Sequence, residues 1–345
     1  GGTDTASYAA ATSAVTVDLN ITTAQDTQGA GRDKLLNIDN LIGSLFSDTL
    51  YGDGNANVLD GGGNIDIMDG RGGSDTYYVT AGDLVTDTGT TGTDVVYAGV
   101  DYALGSGIEN LVLTGTTAIN GRGNVLNNTL IGNSSGNILN GVDSATPGTG
   151  TDTLRGLAGN DTYFVNSTTD VVDETFSGSA GVDLVISSVN FTLATNVENL
   201  RLVGSATSGT GNTLVNTLIG NSGNNTLNGG DGNDILTDLL GGDDTLIGGA
   251  GADSLKAGAG NDVLIGGTSA TASDSSADSL AGGTGNDTYN VTDTTDVVNE
   301  ALSTLNLSDL VNSTVTYALN DLTSVGVDNL TLVGSGNING TGNSL

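Results

Sequence analysis

Four aspartates, Asp234, Asp244, Asp253 and Asp262, recur at steps of ten, nine and nine residues. Each has a glycine two residues before it (Gly232, Gly242, Gly251, Gly260) and a leucine two residues after it (Leu236, Leu246, Leu255, Leu264). Side chains in that phase belong to a chain that turns, runs briefly extended and turns again. The short extended piece points its leucine into a narrow core. The glycine-rich piece takes the positive φ angles that a sharp turn needs. If alternate turns stack, acids about eighteen residues apart come together and repel unless a cation sits between them. Carboxylates plus glycine carbonyls are the hard oxygen ligands that Ca²⁺ takes, six to eight of them in tolerant geometry. The natural pairs are Asp244 with Asp262 and Asp234 with Asp253. A flexible glycine linker would not hold leucine in phase.

The stretch Gly229–Gly267 thus reads as G-G-x-G-x-D-x-U-x, and it resembles the calcium-binding nonapeptide repeat of RTX (haemolysin-type) proteins, of the large bacterial secreted or surface kind. The resemblance implies an all-β fold, a right-handed parallel β-solenoid (β-roll or β-helix) with calcium-binding glycine-rich turns. It also implies export by type I secretion, with an extracellular or cell-surface location. Calcium is expected at Asp234, Asp244, Asp253 and Asp262, with backbone carbonyls near Gly249, Gly251, Gly258 and Gly260 completing the shells. Further sites are expected at Asp48, Asp66, Asp75, Asp152, Asp161, Asp278 and Asp287.

Composition narrows the function. With 40 acidic and 7 basic side chains in 345 residues, the net charge is −33, which excludes a nucleic-acid partner needing a basic face. Such charge among 56 glycines would favour disorder. The in-phase aliphatics argue instead that calcium supplies the missing cohesion, so that ion binding becomes folding free energy. Absence of Cys and His removes disulfides and argues against zinc or blue copper. No apolar run is long enough to span a membrane, and Gly1–Ala10 has no signal-peptide pattern.

Along the chain, residues 1–44 read as strands leading into the solenoid, with Val15, Val17, Leu19 and Ile21 alternating onto one face. Residues 45–345 read as the repeat solenoid, a piece of a longer protein because both ends fall in mid-pattern. Asp48, Asn57, Asp66 and Asp75 stand nine apart, followed in phase by Leu50, Leu59, Met68 and Tyr77. A longer super-repeat opens near 73, 159 and 285 with GSDTYYV, GNDTYFV and GNDTYNV, and closes with IENLVL, VENLRL and VDNLTL. The phase puts Tyr77, Tyr163 and Tyr289 in the core rather than in a sugar-stacking row. Glu109, Glu198 and Asp328 of the closing segments are expected to satisfy turn amides or face solvent. Between super-repeats the nonapeptide phase carries asparagine at Asn128, Asn137, Asn216 and Asn225; stacked asparagines suggest an amide ladder that needs little calcium. Asp143–Gly150, with the one proline, and Thr268–Ala277 interrupt the phase and should bulge outward as loops.

For nucleophilic catalysis a base is missing, since no histidine exists to activate the many serines. Regular acid spacing favours ligation over paired-carboxylate hydrolysis. No catalytic role is expected. The leading expectation is an extracellular calcium-stabilised structural segment of a filament, surface layer or giant adhesin, self-associating along the solenoid axis or stacking on neighbouring repeats. The alternative is a carbohydrate-binding or accessory RTX module of a secreted polysaccharide-active enzyme, with a cell-surface or matrix polysaccharide as partner. An ice- or surface-binding array would need denser Thr/Asn rows than the scattered GTGN segments provide.

Overall fold

The computed structural model describes residues 2–141, 150–176, 180–300, 308–319 and 326–343, and these divide into two compact units, Gly1–Gly181 and Val182–Leu345. Strands of two to six residues are separated by glycine-rich turns, and no described residue is helical. That follows from the sequence, because a turn every nine residues leaves no room for a helical nucleus. The chain is a parallel β-solenoid: apart from one short antiparallel pair, consecutive strands go to different sheets, and each pairs with the strand one coil away.

In the first unit, nine parallel strands run from Thr5–Ser7 through Asn40–Ile42, Val58–Asp60, Thr76–Val79 and onward to Val171–Val172. Register puts Leu41, Leu59, Tyr77, Val96, Leu111, Leu130, Leu154 and Val172 in one inward column. All eight are almost fully buried. A second set brings Val17, Leu50, Met68 and Val85 into another column. The segment 1–44 supplies the first strand of both sheets, Thr5–Ser7 and Thr16–Asp18, plus a small antiparallel pair, Gln25–Asp26 with Arg32–Asp33. Val15, Val17 and Leu19 are buried as their alternation predicts. Ile21 is not: it lies past the end of its strand, in a turn, and is 39 % exposed.

The second unit repeats the arrangement with two long sheets. One aligns Val185, Leu200, Leu218, Leu236, Leu255, Leu280 and Val298; the other aligns Leu227, Leu246, Leu264, Tyr289 and Val311. Stacked aliphatics at each level make a narrow core whose burial, at about 25 cal/mol per Å², is spread evenly along the chain. The three super-repeat tyrosines occupy this core with no exposed surface.

Of the two expected loops, Thr268–Ala277 is exposed or half-buried and leaves the stacking undisturbed: Asp253 and Asp278, 25 residues apart, still meet on one edge. It also folds back, since the Asp274 carboxylate accepts from the Gly251 amide at 2.7 Å. Residues 143–149 of the other loop lie outside the described residues.

Candidate metal centres

The turns before Asp234, Asp253, Asp262 and Asp287 have two left-handed glycines, two and four residues before the aspartate; before Asp244 the pair is Gly242 and Gly241. Before Asp253 they are Gly251 (φ +127°) and Gly249 (φ +112°); before Asp262 they are Gly260 (φ +148°) and Gly258 (φ +123°). A Cβ at Gly251 would lie 2.0 Å from the Gly232 carbonyl oxygen of the preceding coil, and one at Gly260 would lie 1.7 Å from that of Gly242. Glycine is therefore demanded twice over, by conformation and by close stacking of backbones. The carbonyls of Gly258 and Gly260 in turn press on Gly283 and Gly285 of the next coil. All four glycines expected to lend carbonyls thus sit where successive turns touch.

The aspartates stack as the spacing requires. The Asp234 amide donates to Asp253 Oδ1 at 2.7 Å, and the Asp244 amide to Asp262 Oδ1 at 2.8 Å. The columns continue: Asp253 donates to Asp278 at 2.9 Å, and Asp262 to Asp287 at 2.8 Å. In the first unit, Asp48 donates to Asp66 and Asn57 to Asp75, both at 2.7 Å. Asn128 and Asn137 donate to Asp152 and Asp161 at 2.8 and 2.6 Å. Members nine residues apart, such as Asp152 and Asp161, fall in different columns, as do Asp278 and Asp287.

One carboxylate oxygen of each is therefore spent on a backbone amide. The other is left over. Oδ2 of Asp66, Asp75, Asp234, Asp244, Asp253, Asp262, Asp278 and Asp287 is buried without a hydrogen-bond partner. Where the repeat opens with glycine, it lies over that residue: a Cβ at Gly229, Gly248 or Gly282 would come within 2.3 Å of Oδ2 of Asp234, Asp253 or Asp287. Burial, then the neighbouring acids, push Asp253, Asp262, Asp278 and Asp287 up to about 7; burial and nearby acids push Asp66 to about 7 and Asp75 to about 6. Burial likewise raises Asp152, Asp161 and Asp234 to about 6 and raises Asp244.

Buried, partnerless and mutually repelling oxygens are what a hard cation would satisfy, so the residues fit calcium. Among the described residues no three acidic side chains gather closely enough to hold an ion by themselves, so backbone oxygens or water would supply the remaining ligands. When bound, calcium would neutralise the stacked carboxylates and join one coil to the next. Asp48 departs from the pattern. Its Oδ2 accepts from the Ser44 amide and its Oδ1 from the Ser44 hydroxyl, so that turn is capped from within.

The acids of the closing segments act as the sequence suggests, taking turn amides: Glu109 accepts from Asp94 and Glu198 from Asp183, both at 2.8 Å, and Asp328 accepts from Asp309 at 3.2 Å. The asparagine columns do not form the expected ladder. Asn216 Oδ1 accepts from the Asn212 amide at 2.7 Å while its Nδ2 donates to the carbonyls of Val197 and Glu198, both at 3.2 Å. Asn212 donates to Ala194 and Val197, both at 2.7 Å. Asn128 with Asn124, Asn137 with Asn133 and Asn225 with Asn221 repeat the arrangement. The amides cap backbone carbonyls because these lie within a hydrogen bond of the turn. The spacing G-N-x-x-x-N marks these turns in the sequence and distinguishes them from G-G-x-G-x-D.

Sequence reasoning also passed over column members outside the nonapeptide signature. Asp83 and Asp94 accept from the amides of Asp66 and Asp75 at 2.9 and 2.7 Å, and Asp296 and Asp309 from those of Asp278 and Asp287 at 3.3 and 2.8 Å. Their D-x-V context, not a glycine turn, was the available signal.

A family model described as the RTX calcium-binding nonapeptide repeat (4 copies) matches residues 37–68, 146–172, 210–237, 240–269 and 273–296. A comparison with curated proteins finds no match. The matched segments contain both kinds of corner, the carboxylate turns and the amide-capped turn at 212–216.

Proposed function

We propose, from the premise that the chain is an RTX calcium-binding nonapeptide-repeat protein, that it works outside the cell as a calcium-stabilised, non-catalytic structural segment. Its setting would be a filament, surface layer or long adhesin. The observation that carries this reading is the row of buried carboxylate oxygens without partners. At the submicromolar calcium of a cell interior those columns repel, and the fold is not favoured. At the roughly 10⁻⁴–10⁻³ M affinities of extracellular calcium modules they are filled outside. Export and folding are thereby coupled through one ion. Evenly distributed core and repeated turns suit a load-bearing or spacing role, because each coil rests only on its neighbours.

A calcium titration of the chelated protein, followed by circular dichroism with light scattering, tests this. Coil should convert to β as calcium rises, and scattering that grows with it supports self-assembly. A β spectrum indifferent to chelation would sink the proposal.

One surface feature favours the carbohydrate-binding alternative. Tyr78 and Tyr97, on adjacent strands of the first unit, stack with ring centroids 5.4 Å apart, and Tyr78 is 47 % exposed. Stacked rings on a flat sheet are a platform for a sugar face. Retention on immobilised polysaccharide that vanishes in Tyr78→Ala would transfer support to that reading.

A further inference from the structure

We propose that Asp238 is a calcium ligand outside the nonapeptide pattern, acting with the Asp244 carboxylate at one corner of the second unit. The inference rests on the calcium-binding reading and extends it to a residue that the repeat signature does not contain. The matched segments stop at 237 and resume at 240, which leaves Asp238 between them.

Strand pairing locates it. The Gly220 amide donates to the Thr237 carbonyl, and the Asp238 amide donates to the Lys256 carbonyl at 2.8 Å, so Gly220, Asp238 and Ala257 stand at successive levels of one corner. Apart from Ala257, this place, the first of the repeat, is glycine at Gly229, Gly248 and Gly282, and there the room is used by the aspartate Oδ2 five residues on. At Asp238 a carboxylate enters the same space from the strand side. It leans so far toward the preceding coil that a Cβ at Gly220 would be 1.8 Å from its Oδ2.

The side chain is completely buried, and neither oxygen makes a well-formed hydrogen bond. Every other column aspartate described above spends one oxygen on an amide of another coil. Asp238 has only the Leu240 amide of its own turn nearby, beside the charges of Asp244 and Asp262, whose Oδ2 atoms are also without partners. A proton shared between two of these acids would serve one pair of oxygens and leave the others without partners. A cation shared by Asp238 and Asp244 satisfies both, with backbone oxygens completing a calcium shell. Two carboxylates would balance the ion's double charge. The extra residue between Asp234 and Asp244, ten apart instead of nine, accommodates this fuller corner.

Equilibrium dialysis of radiolabelled calcium against the full chain tests the assignment, with Asp238→Asn, Asp238→Gly and, as control, the exposed acid Asp26→Asn, outside the repeat turns. Asp238→Gly restores the residue that the corner carries elsewhere, so it keeps the test open if the amide variant misfolds; circular dichroism in calcium verifies each fold. Both Asp238 variants should bind one ion fewer than the parent, or bind one ion at least tenfold more weakly, while Asp26→Asn matches the parent. Parent-like stoichiometry and affinity in both Asp238 variants would overturn the proposal and leave Asp238 a buried neutral acid. A parent that binds no calcium at all would overturn the calcium reading itself, a result that the two Asp238 variants could not mimic.

Discussion

At the corner formed by residues 212–216, the Asn216 and Asn212 amides donate to carbonyls of the preceding coil and take the turn's own N–H groups. One coil on, Asp234 occupies the same place in the column, receives the Asn216 amide on Oδ1 and leaves Oδ2 buried without a partner. The neighbouring column shows the same change between Asn225 and Asp244. The two corners share their strands, their core leucines and their hydrogen-bonded register. They differ in whether the turn contains its own donors. An amide carries donor and acceptor together, so an asparagine corner closes without an ion. A carboxylate carries acceptors alone and must receive its positive charge from outside. Calcium dependence is thus a property of single corners, set by one atom per side chain.

The largest contrast should appear on chelation at neutral pH. Backbone amides of 229–267 should lose most of their hydrogen-exchange protection while those of 208–227 keep more of theirs. Uniform loss across both regions would erase the distinction between corners. Next comes Asp253→Ala, which leaves a cation short of a carboxylate. Calcium affinity at that edge should fall by about tenfold or more, and the turns on either side should melt at lower temperature. Calcium-dependent melting identical to the parent's would remove Asp253 from the ligands.

Asn216→Asp converts one corner type into the other. In chelator it should cost about 1–3 kcal/mol, because the Val197 and Glu198 carbonyls lose their amide donor and a buried carboxylate appears. Added calcium should restore part of that loss. Denaturant melts with and without calcium measure both terms; a calcium-independent loss would mean that the corner cannot be converted.

The smallest effect is a pH response of the chelated protein. Asp66, Asp253, Asp262, Asp278 and Asp287 are raised to about 7 in the fold, above the ordinary carboxylate range near 4. Raised values mean that the folded state binds protons more tightly than the unfolded one. Their contribution is fully present below about pH 4 and is lost as pH climbs through 7. The chelated protein should therefore melt higher at pH 5 than at pH 7.5, and saturating calcium should flatten or reverse that order. A chelated protein more stable at pH 7.5 would show that the buried acids already have partners.

Much of the fold was legible because the repeat is short and each turn repeats the last. Leucine two residues after each aspartate is the core position, and the stacked pairs Asp244/Asp262 and Asp234/Asp253 follow from adding two nonapeptides. The tyrosines of the DTY segments were placed by the same phase. Ile21 was misplaced because alternation says nothing about where a strand stops. The asparagine ladder was misjudged for a related reason: side chains that share a column were assumed to meet each other, whereas backbone carbonyls of the preceding coil lie nearer.

By itself, the amino-acid sequence determined the period, the inward column and the kind of ion, since phase and ligand hardness are local properties of residue type. Tertiary structure alone decided which oxygen of each acid remains for that ion. Stacking spends Oδ1 on an amide about two repeats away, Ser44 caps Asp48, and neither oxygen of Asp238 makes a well-formed hydrogen bond. Those outcomes depend on what the neighbouring coil presents. Loops of uneven length place that coil 18 residues away at Asp262 and 25 at Asp287.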